Sequence, residues 1–181
     1  MLFRSNPVDA LQQLAAAHRR RFSIPVIGIT GSNGKTIVKE WLFQLLQQDY
    51  RIVRSPKSYN SQIGVPLSVW QLKSYHQLAI FEAGISQPNE MEQLERVIQP
   101  TIGVLTNIGA AHSEGFHSLA EKEKEKRKLF QHAVLVPALQ LTRVHMEHGY
   151  ATLYATGAGL VEESSVTIPF TDTASIQNAL K

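Results

Sequence analysis

Cysteine is absent from the 181 residues, which excludes disulfides and thiolate metal sites. Long apolar runs are absent as well, and no stretch approaches the roughly 20 residues that cross a bilayer. The opening Met1-Leu2-Phe3-Arg4-Ser5-Asn6-Pro7 lacks the apolar centre of a secretory signal. Charge of one sign is scarce: the formal net charge is +3, and the basic residues are not gathered into a stripe that would suit nucleic acid. The cluster Arg19-Arg20-Arg21 reads as a solvated helix end favoured by the macrodipole. What remains, 43% hydrophobic and 18% charged residues, is enough to bury a substantial core. One soluble, cytoplasmic domain, or one domain and a fragment, is the expectation.

The chain is organised around Pro25-Val26-Ile27-Gly28-Ile29-Thr30-Gly31-Ser32-Asn33-Gly34-Lys35-Thr36. Val26 to Ile29 reads as a buried strand, and Val38, Trp41, Leu42, Leu45 and Leu46 after the loop fall at helical spacing. A strand, a glycine-rich loop, Lys-Thr and a helix make a phosphate-binding loop. Gly31, Ser32, Asn33 and Gly34 supply backbone N–H groups, Lys35 reaches the β- and γ-phosphates, and the Thr36 hydroxyl can ligate Mg²⁺. The glycines stand as G-x-x-G-x-x-G-K-T, so the first glycine of the general pattern is displaced. The residues imply a bound nucleoside triphosphate.

Further along, strands and helices alternate. A first helix is expected over about Val8 to Arg21, with Leu11, Leu14 and Ala15 on one face. A second strand follows at Arg51 to Arg54, then the polar segment Ser55 to Gly64 and a short helix from Pro66 to Leu72. Leu78 to Phe81 reads as a buried strand ending in Glu82, and Asn89 to Val97 as a helix with Met91, Leu94 and Val97 inward. Ile102 to Leu105 is another strand, Leu119 to His132 a helix, and Ala133 to Val136 a strand. Leu139 to His148 reads as a helix, followed by strands at Ala151 to Tyr154 and Val166 to Phe170. The pattern predicts an α/β fold: a three-layer phosphate-loop architecture with a mostly parallel central sheet flanked by helices. Ligands bind such sheets outside the carboxyl ends of the strands.

Glu82 sits at one of those ends and reads equally as a Mg²⁺ ligand or orienter of Mg²⁺-bound water, or as a solvated loop carboxylate or helix N-cap partner. His112, in the loop after Leu105, is a hydrogen-bonding surface residue or a ligand. His145 and His148 lie three apart on the expected helix without a third partner. The run Glu121 to Lys128 has the alternating signs of a solvated helix. Lys126, however, falls on the stripe defined by Leu119 and Phe130, with Lys122 close to it. A lysine facing inward needs a reason: a snorkelling stem, an ion pair or a chemical role.

Four stretches resemble the ATP-dependent Mur ligases of peptidoglycan synthesis: Gly28 to Thr36, Asn60-Ser61-Gln62-Ile63-Gly64-Val65-Pro66-Leu67, Thr106-Asn107-Ile108-Gly109-Ala110-Ala111-His112 with the following Glu114 to Leu119, and Asp172 to Ala179. Ser58 to Ser61 and Ile168 to Asp172 look most like the branch that adds D-Ala-D-Ala, in the form fused to an alanine racemase. The resemblance implies ATP and Mg²⁺ as cofactors, and UDP-MurNAc-peptide and D-Ala-D-Ala as substrates. ATP phosphorylates the peptide carboxylate, and the amine then attacks the acyl phosphate. It assigns Lys35 to the phosphates, Thr36 and Glu82 to one Mg²⁺, His112 and a carbamylated Lys126 to a second, and Asn178 to the adenine.

The resemblance also implies boundaries. Residues 1–22 match a linker helix after an N-terminal UDP-binding domain, and 23–181 match the central ATP-binding domain, shortened over about 131–166. A C-terminal domain would be missing, so ligase turnover is not expected of this piece alone. Ser61 and Lys128 depart from the pattern, where a second asparagine and an acidic residue are usual. A folylpolyglutamate synthase-like ligase and a non-catalytic ATP-binding module are the rival readings.

Overall fold

The computed structural model describes residues 6–109, 115–136, 140–156, 164–168, 171–172 and 176. Two compact units divide the chain, residues 1–135 and 136–181. In the first, β1 (Val26–Thr30), β2 (Ile52–Arg54), β3 (Leu78–Glu82), β4 (Ile102–Leu105) and β5 (Val134–Leu135) form one sheet in the order β2-β3-β1-β4-β5. Every pairing in it is parallel. Its helices are α1 (Pro7–Arg19), α2 (Lys35–Leu46), α3 (Gly64–Val69), α4 (Glu90–Ile98) and α5 (Leu119–Arg127), which runs into a 3₁₀ turn at Lys128–Phe130.

Alternation along the strands sorts two apolar layers. Val26, Ala79 and Phe81 join Ala15 and Ala16 of α1, Val65 and Val69 of α3, and Met91, Leu94, Val97 and Ile98 of α4. Ile27, Ile29, Leu78, Ile80 and Val104 join Val38 of α2, with Leu42, Phe43 and Leu46 packed against them. Helices therefore cover both faces, as continuous apolar strands require. Gly28 and Gly103 lie side by side in register. A Cβ on Gly28 would stand 2.9 Å from Pro100, and one on Gly103 would run into the Phe130 ring. Gly28 thus serves close packing within the strand, and the phosphate loop begins after it.

Four expectations are corrected in this unit. Of the expected α1 face of Leu11, Leu14 and Ala15, Ala15 is buried but Leu14 is 61% exposed, and the inward face is Gln12, Ala15, Ala16 and Arg19. Arg19 is buried, not solvated: its guanidinium donates to the carbonyls of Ile98 (2.9 Å), Gln99 (3.1 Å) and Phe22 (2.6 Å), holding the end of α4. Leu45, assigned to the inward stripe of α2, is 73% exposed. The helix expected to reach His132 ends at Arg127, and Leu119 is exposed, so the stripe that singled out Lys126 is not an apolar one.

The second unit holds β6 (Gln140–Glu147), β7 (Tyr150–Thr156) and β8 (Ser164–Ile168), an antiparallel sheet in that order. Here the expected helix at Leu139 to His148 is overturned. The segment is a strand, joined to β7 by a tight turn in which His148 (φ 50°) and Gly149 (φ 82°) are left-handed. Two such residues in succession match the twist of a hairpin. His145 and His148 flank Glu147 there and share no helix face.

Candidate active site

The chain crosses from one side of the sheet to the other between β1 and β4, the position at which parallel sheets open a crevice at their carboxyl ends. Three segments leave the sheet there: the glycine loop after β1, Glu82 at the end of β3, and Thr106-Asn107 after β4. The glycine loop is pinned from the β4 side. The Ser32 amide donates to the Asn107 carbonyl (2.7 Å), the Asn33 amide to Asn107 Oδ1 (2.8 Å), and Thr106 Oγ1 to the Asn33 carbonyl (2.6 Å). Ser32 Oγ takes the Gly109 amide at 3.0 Å. Gly31 (φ 149°) approaches Thr106 so closely that any Cβ would strike its hydroxyl, and Gly34 (φ 82°) makes the left-handed entry to α2. Both positions need glycine.

Three lysines gather at this loop and at the segment after β4 that pins it. Lys35 Nζ donates to the carbonyls of Gly31 (2.9 Å) and Ser32 (3.4 Å), and Lys126 Nζ reaches the same Gly31 carbonyl at 3.1 Å. Lys122 Nζ donates to the Gly109 carbonyl at 2.8 Å. Lys122 and Lys126 are 1% and 2% exposed, a depth of burial that lysine rarely reaches. Burial lowers the pKa of Lys126 to about 8, helped by the charges of Lys35 and Lys122. Burial also lowers Lys35, opposed in part by Glu82, and lowers Lys122. Three lysine amines so close together make this end of the sheet electropositive.

α5 is held in place by its own polar groups. Ser118 Oγ caps the helix by accepting from the Glu121 amide (3.1 Å), and the Glu121 carboxylate reaches back to the amide of His117, the residue before the cap (2.7 Å). Glu125, one residue before Lys126, is buried and takes the Asn89 amide ahead of α4 at 2.7 Å. Lys128, the departure noted in the sequence, pairs with Glu125 (2.8 Å) and Glu92 (2.9 Å), tying α5 to α4.

Glu82 is completely buried. Its Oε2 accepts from Thr36 Oγ1 (3.1 Å) and Asn60 Nδ2 (3.5 Å), and its backbone amide donates to Ser55 Oγ (3.1 Å). Oε1 makes no hydrogen bond of good geometry and instead faces Lys39 Nζ in an ion pair at 2.9 Å. Oε2, held only by the neutral donors Thr36 Oγ1 and Asn60 Nδ2, forms with the threonine hydroxyl an oxygen donor set suited to a hard cation. Thr36 and Glu82 therefore fit Mg²⁺. Lys126 as an amine does not; as a carbamate it would present oxygen. Among the described residues no group of three or more histidine, aspartate or glutamate side chains gathers.

The structure brings Gly31, Ser32, Gly34, Lys35, Thr36, Glu82 and Lys126 to one end of the sheet, with the Asn33 backbone in the loop. His112 and Asn178 lie outside the described residues. A cleft of about 350 Å³ opens beside the loop, lined by Gly31, Lys35, Asn60, Gln62, Ser86 and Lys126 among others. Sequence reasoning missed Lys39. The signal was present, because Lys39 follows Thr36 by three residues and so shares the helix face turned to Glu82.

The profile of the Mur ligase middle domain matches residues 29–147. The chain belongs to the Mur ligase family. The UDP-N-acetylmuramoyl-tripeptide–D-alanyl-D-alanine ligase of Borreliella burgdorferi is 38% identical over 128 residues, covering 71% of this Mur ligase domain and 28% of that protein. MurF from Acinetobacter baumannii superposes with a TM-score of 0.87 at 23% identity, over 97% of this chain and 45% of that one. The MurF ligase from Thermotoga maritima, solved in complex with ADP, gives 0.85 at 22% identity, over 99% and 48%. The Mur ligase domain described here thus spans less than half the length of these proteins.

Proposed function

We propose that this chain is the ATP-binding domain of a cytoplasmic ligase that joins D-Ala-D-Ala to a UDP-MurNAc-peptide through an acyl phosphate. In this reading residues 1–22 are the linker helix and 23–181 the central domain. The observation that carries it is the convergence of Lys35, Lys122 and Lys126 on the carbonyls of Gly31 and Gly109, beside the Thr36–Glu82 pair. That arrangement offers positive charge and a cation site at the end of the strands, which is what phosphoryl transfer between bound partners demands.

Lys35 would turn from the Gly31 carbonyl to the β- and γ-phosphates, a charge-assisted bond stronger than the one it gives up. Thr36 and Glu82 would hold Mg²⁺, which supplies charge neutralisation to the phosphates when bound. The substrate carboxylate attacks the γ-phosphorus and ADP leaves; the incoming amine then displaces phosphate, forming the amide and releasing a proton. Lys126, with its lowered pKa, would hold a neutral amine fraction able to take up CO₂ as a carbamate, with loss of one proton. Together with His112 it would complete a second cation site, and Asn178 would contact the adenine.

Calorimetric titration with Mg·ATP tests the reading. Saturable binding is expected, with Lys35→Ala weakening it by about 1.5–3 kcal/mol, the worth of a hydrogen bond to a charged group. Equal binding by both chains would refute the assignment of Lys35. In a ligase of full length carrying this domain, ADP release with a folate and glutamate but not with the UDP-linked peptide would point to the folylpolyglutamate reaction instead.

A further inference from the structure

We infer that Lys39 is a positioning residue, which fixes one oxygen of Glu82 so that the other is presented with Thr36 to the nucleotide's cation. The inference rests on the proposed nucleotide reading. Lys39 is completely buried on α2. Its ammonium faces Glu82 Oε1 (2.9 Å), Glu40 Oε1 (3.2 Å), the Ser55 carbonyl (2.8 Å) and the Lys57 carbonyl. An ammonium has three donors, so four acceptors saturate it.

The division at Glu82 gives this arrangement its consequence. Oε1 is committed to Lys39 alone, whereas Oε2 carries the two neutral donors, Thr36 Oγ1 and Asn60 Nδ2. A cation can displace a hydroxyl proton donor at Oε2 far more readily than it can displace an ammonium at Oε1. Lys39 therefore makes Glu82 a one-oxygen ligand of fixed orientation. The same ammonium holds Ser55 and Lys57, so the segment that delivers Asn60 to the cleft is tied to the carboxylate. Ser55 closes the loop by taking the Glu82 amide on its hydroxyl. Outer partners of this kind orient ligand side chains as firmly as the ligands orient the metal.

The test measures ATP affinity of the 181-residue chain in EDTA and in saturating Mg²⁺, for wild type, Lys39→Met and Lys39→Arg. In Lys39→Met the gain in affinity brought by Mg²⁺ is expected to fall about tenfold or more. Metal-free affinity is expected to fall less than that, and Lys39→Arg, which keeps the charge, to restore part of the gain. A residue serving the fold alone would lower both affinities together, so that result overturns the inference, as does an unchanged Mg²⁺ gain. Urea unfolding without nucleotide supplies a second arm. Lys39→Met strands a buried carboxylate, so Lys39→Met/Glu82→Gln should unfold at higher urea than Lys39→Met, and equal or lower midpoints overturn the pairing. A wild-type chain that binds no ATP while showing this coupling would remove the nucleotide reading, and the positioning role with it.

Discussion

The parallel sheet of residues 26–135 and the antiparallel sheet of residues 140–168 bury their side chains in opposite styles. The first is covered on both faces, and β1 and β3 are buried along their whole length. In the second, Val144, Met146 and Tyr150 are 37%, 55% and 53% exposed, and the buried apolar cluster among the described residues is Ala151, Leu153 and Ile176. The difference decides where charge can do chemistry. A two-sided core supplies the low dielectric in which Glu82, Lys39, Lys122 and Lys126 interact strongly. His145, Glu147 and His148 on the one-sided sheet are mostly exposed, and their ion pairs are screened.

The comparison breaks most easily at Phe81, which is fully buried between β3 and the layer of α1, α3 and α4. Phe81→Ala should cost about 3–5 kcal/mol in urea unfolding, transfer and cavity together. Met146→Ala should stay within about 0.5 kcal/mol, as surface changes do. Comparable losses at the two positions would show that the sheets are buried alike.

A smaller effect sharpens the same contrast. Gly103→Ala places a methyl group against the Phe130 ring, which is itself buried beneath the 3₁₀ turn. Overpacking of a closed layer costs about 1–3 kcal/mol, and unfolding curves should register it. A neutral outcome would mean that the turn carrying Phe130 can lift away from β4.

The same physics explains what could be read beforehand. Strands of a sheet covered on both faces are continuous apolar runs, and Leu78 to Phe81 and Ile102 to Leu105 are short enough to read as strands rather than helices. The glycine loop was legible because Gly31 and Gly34 meet steric demands that no other residue meets. Leu139 to His148 was misread because a ribbon with mixed exposure shows neither clean period, and the His148-Gly149 turn was overlooked. Lys126 was singled out by a stripe of which Phe130 is buried and Leu119 exposed; the buried amine is satisfied by the Gly31 carbonyl that it bonds. Lys39 escaped notice because a lysine in a helix ordinarily snorkels to water. Only the position of Glu82 at the next strand end shows why this one does not.

A pH-dependent effect separates buried charge from buried bulk. Lys126 has a folded pKa of about 8 against an ordinary 10.5, because burial and the neighbouring Lys35 and Lys122 charges disfavour its ammonium. Between those values the unfolded chain holds a proton that the folded chain has lost, so the contribution of Lys126 to stability rises with pH across that window. Below about 8 both states are protonated and the penalty is constant. The slope cannot exceed about 1.4 kcal/mol per pH unit for one site. Lys35 and Lys122 are lowered as well and tilt the wild-type curve in the same direction, so the informative quantity is the stability of wild type minus that of Lys126→Met. That difference should be flat from pH 6.5 to 7.5 and climb from pH 8 to 10. A difference that stays flat throughout would mean that the Lys126 ammonium is as well accommodated beside Gly31 as in water. The neutral amine that the proposed carbamate requires would then be scarce at physiological pH.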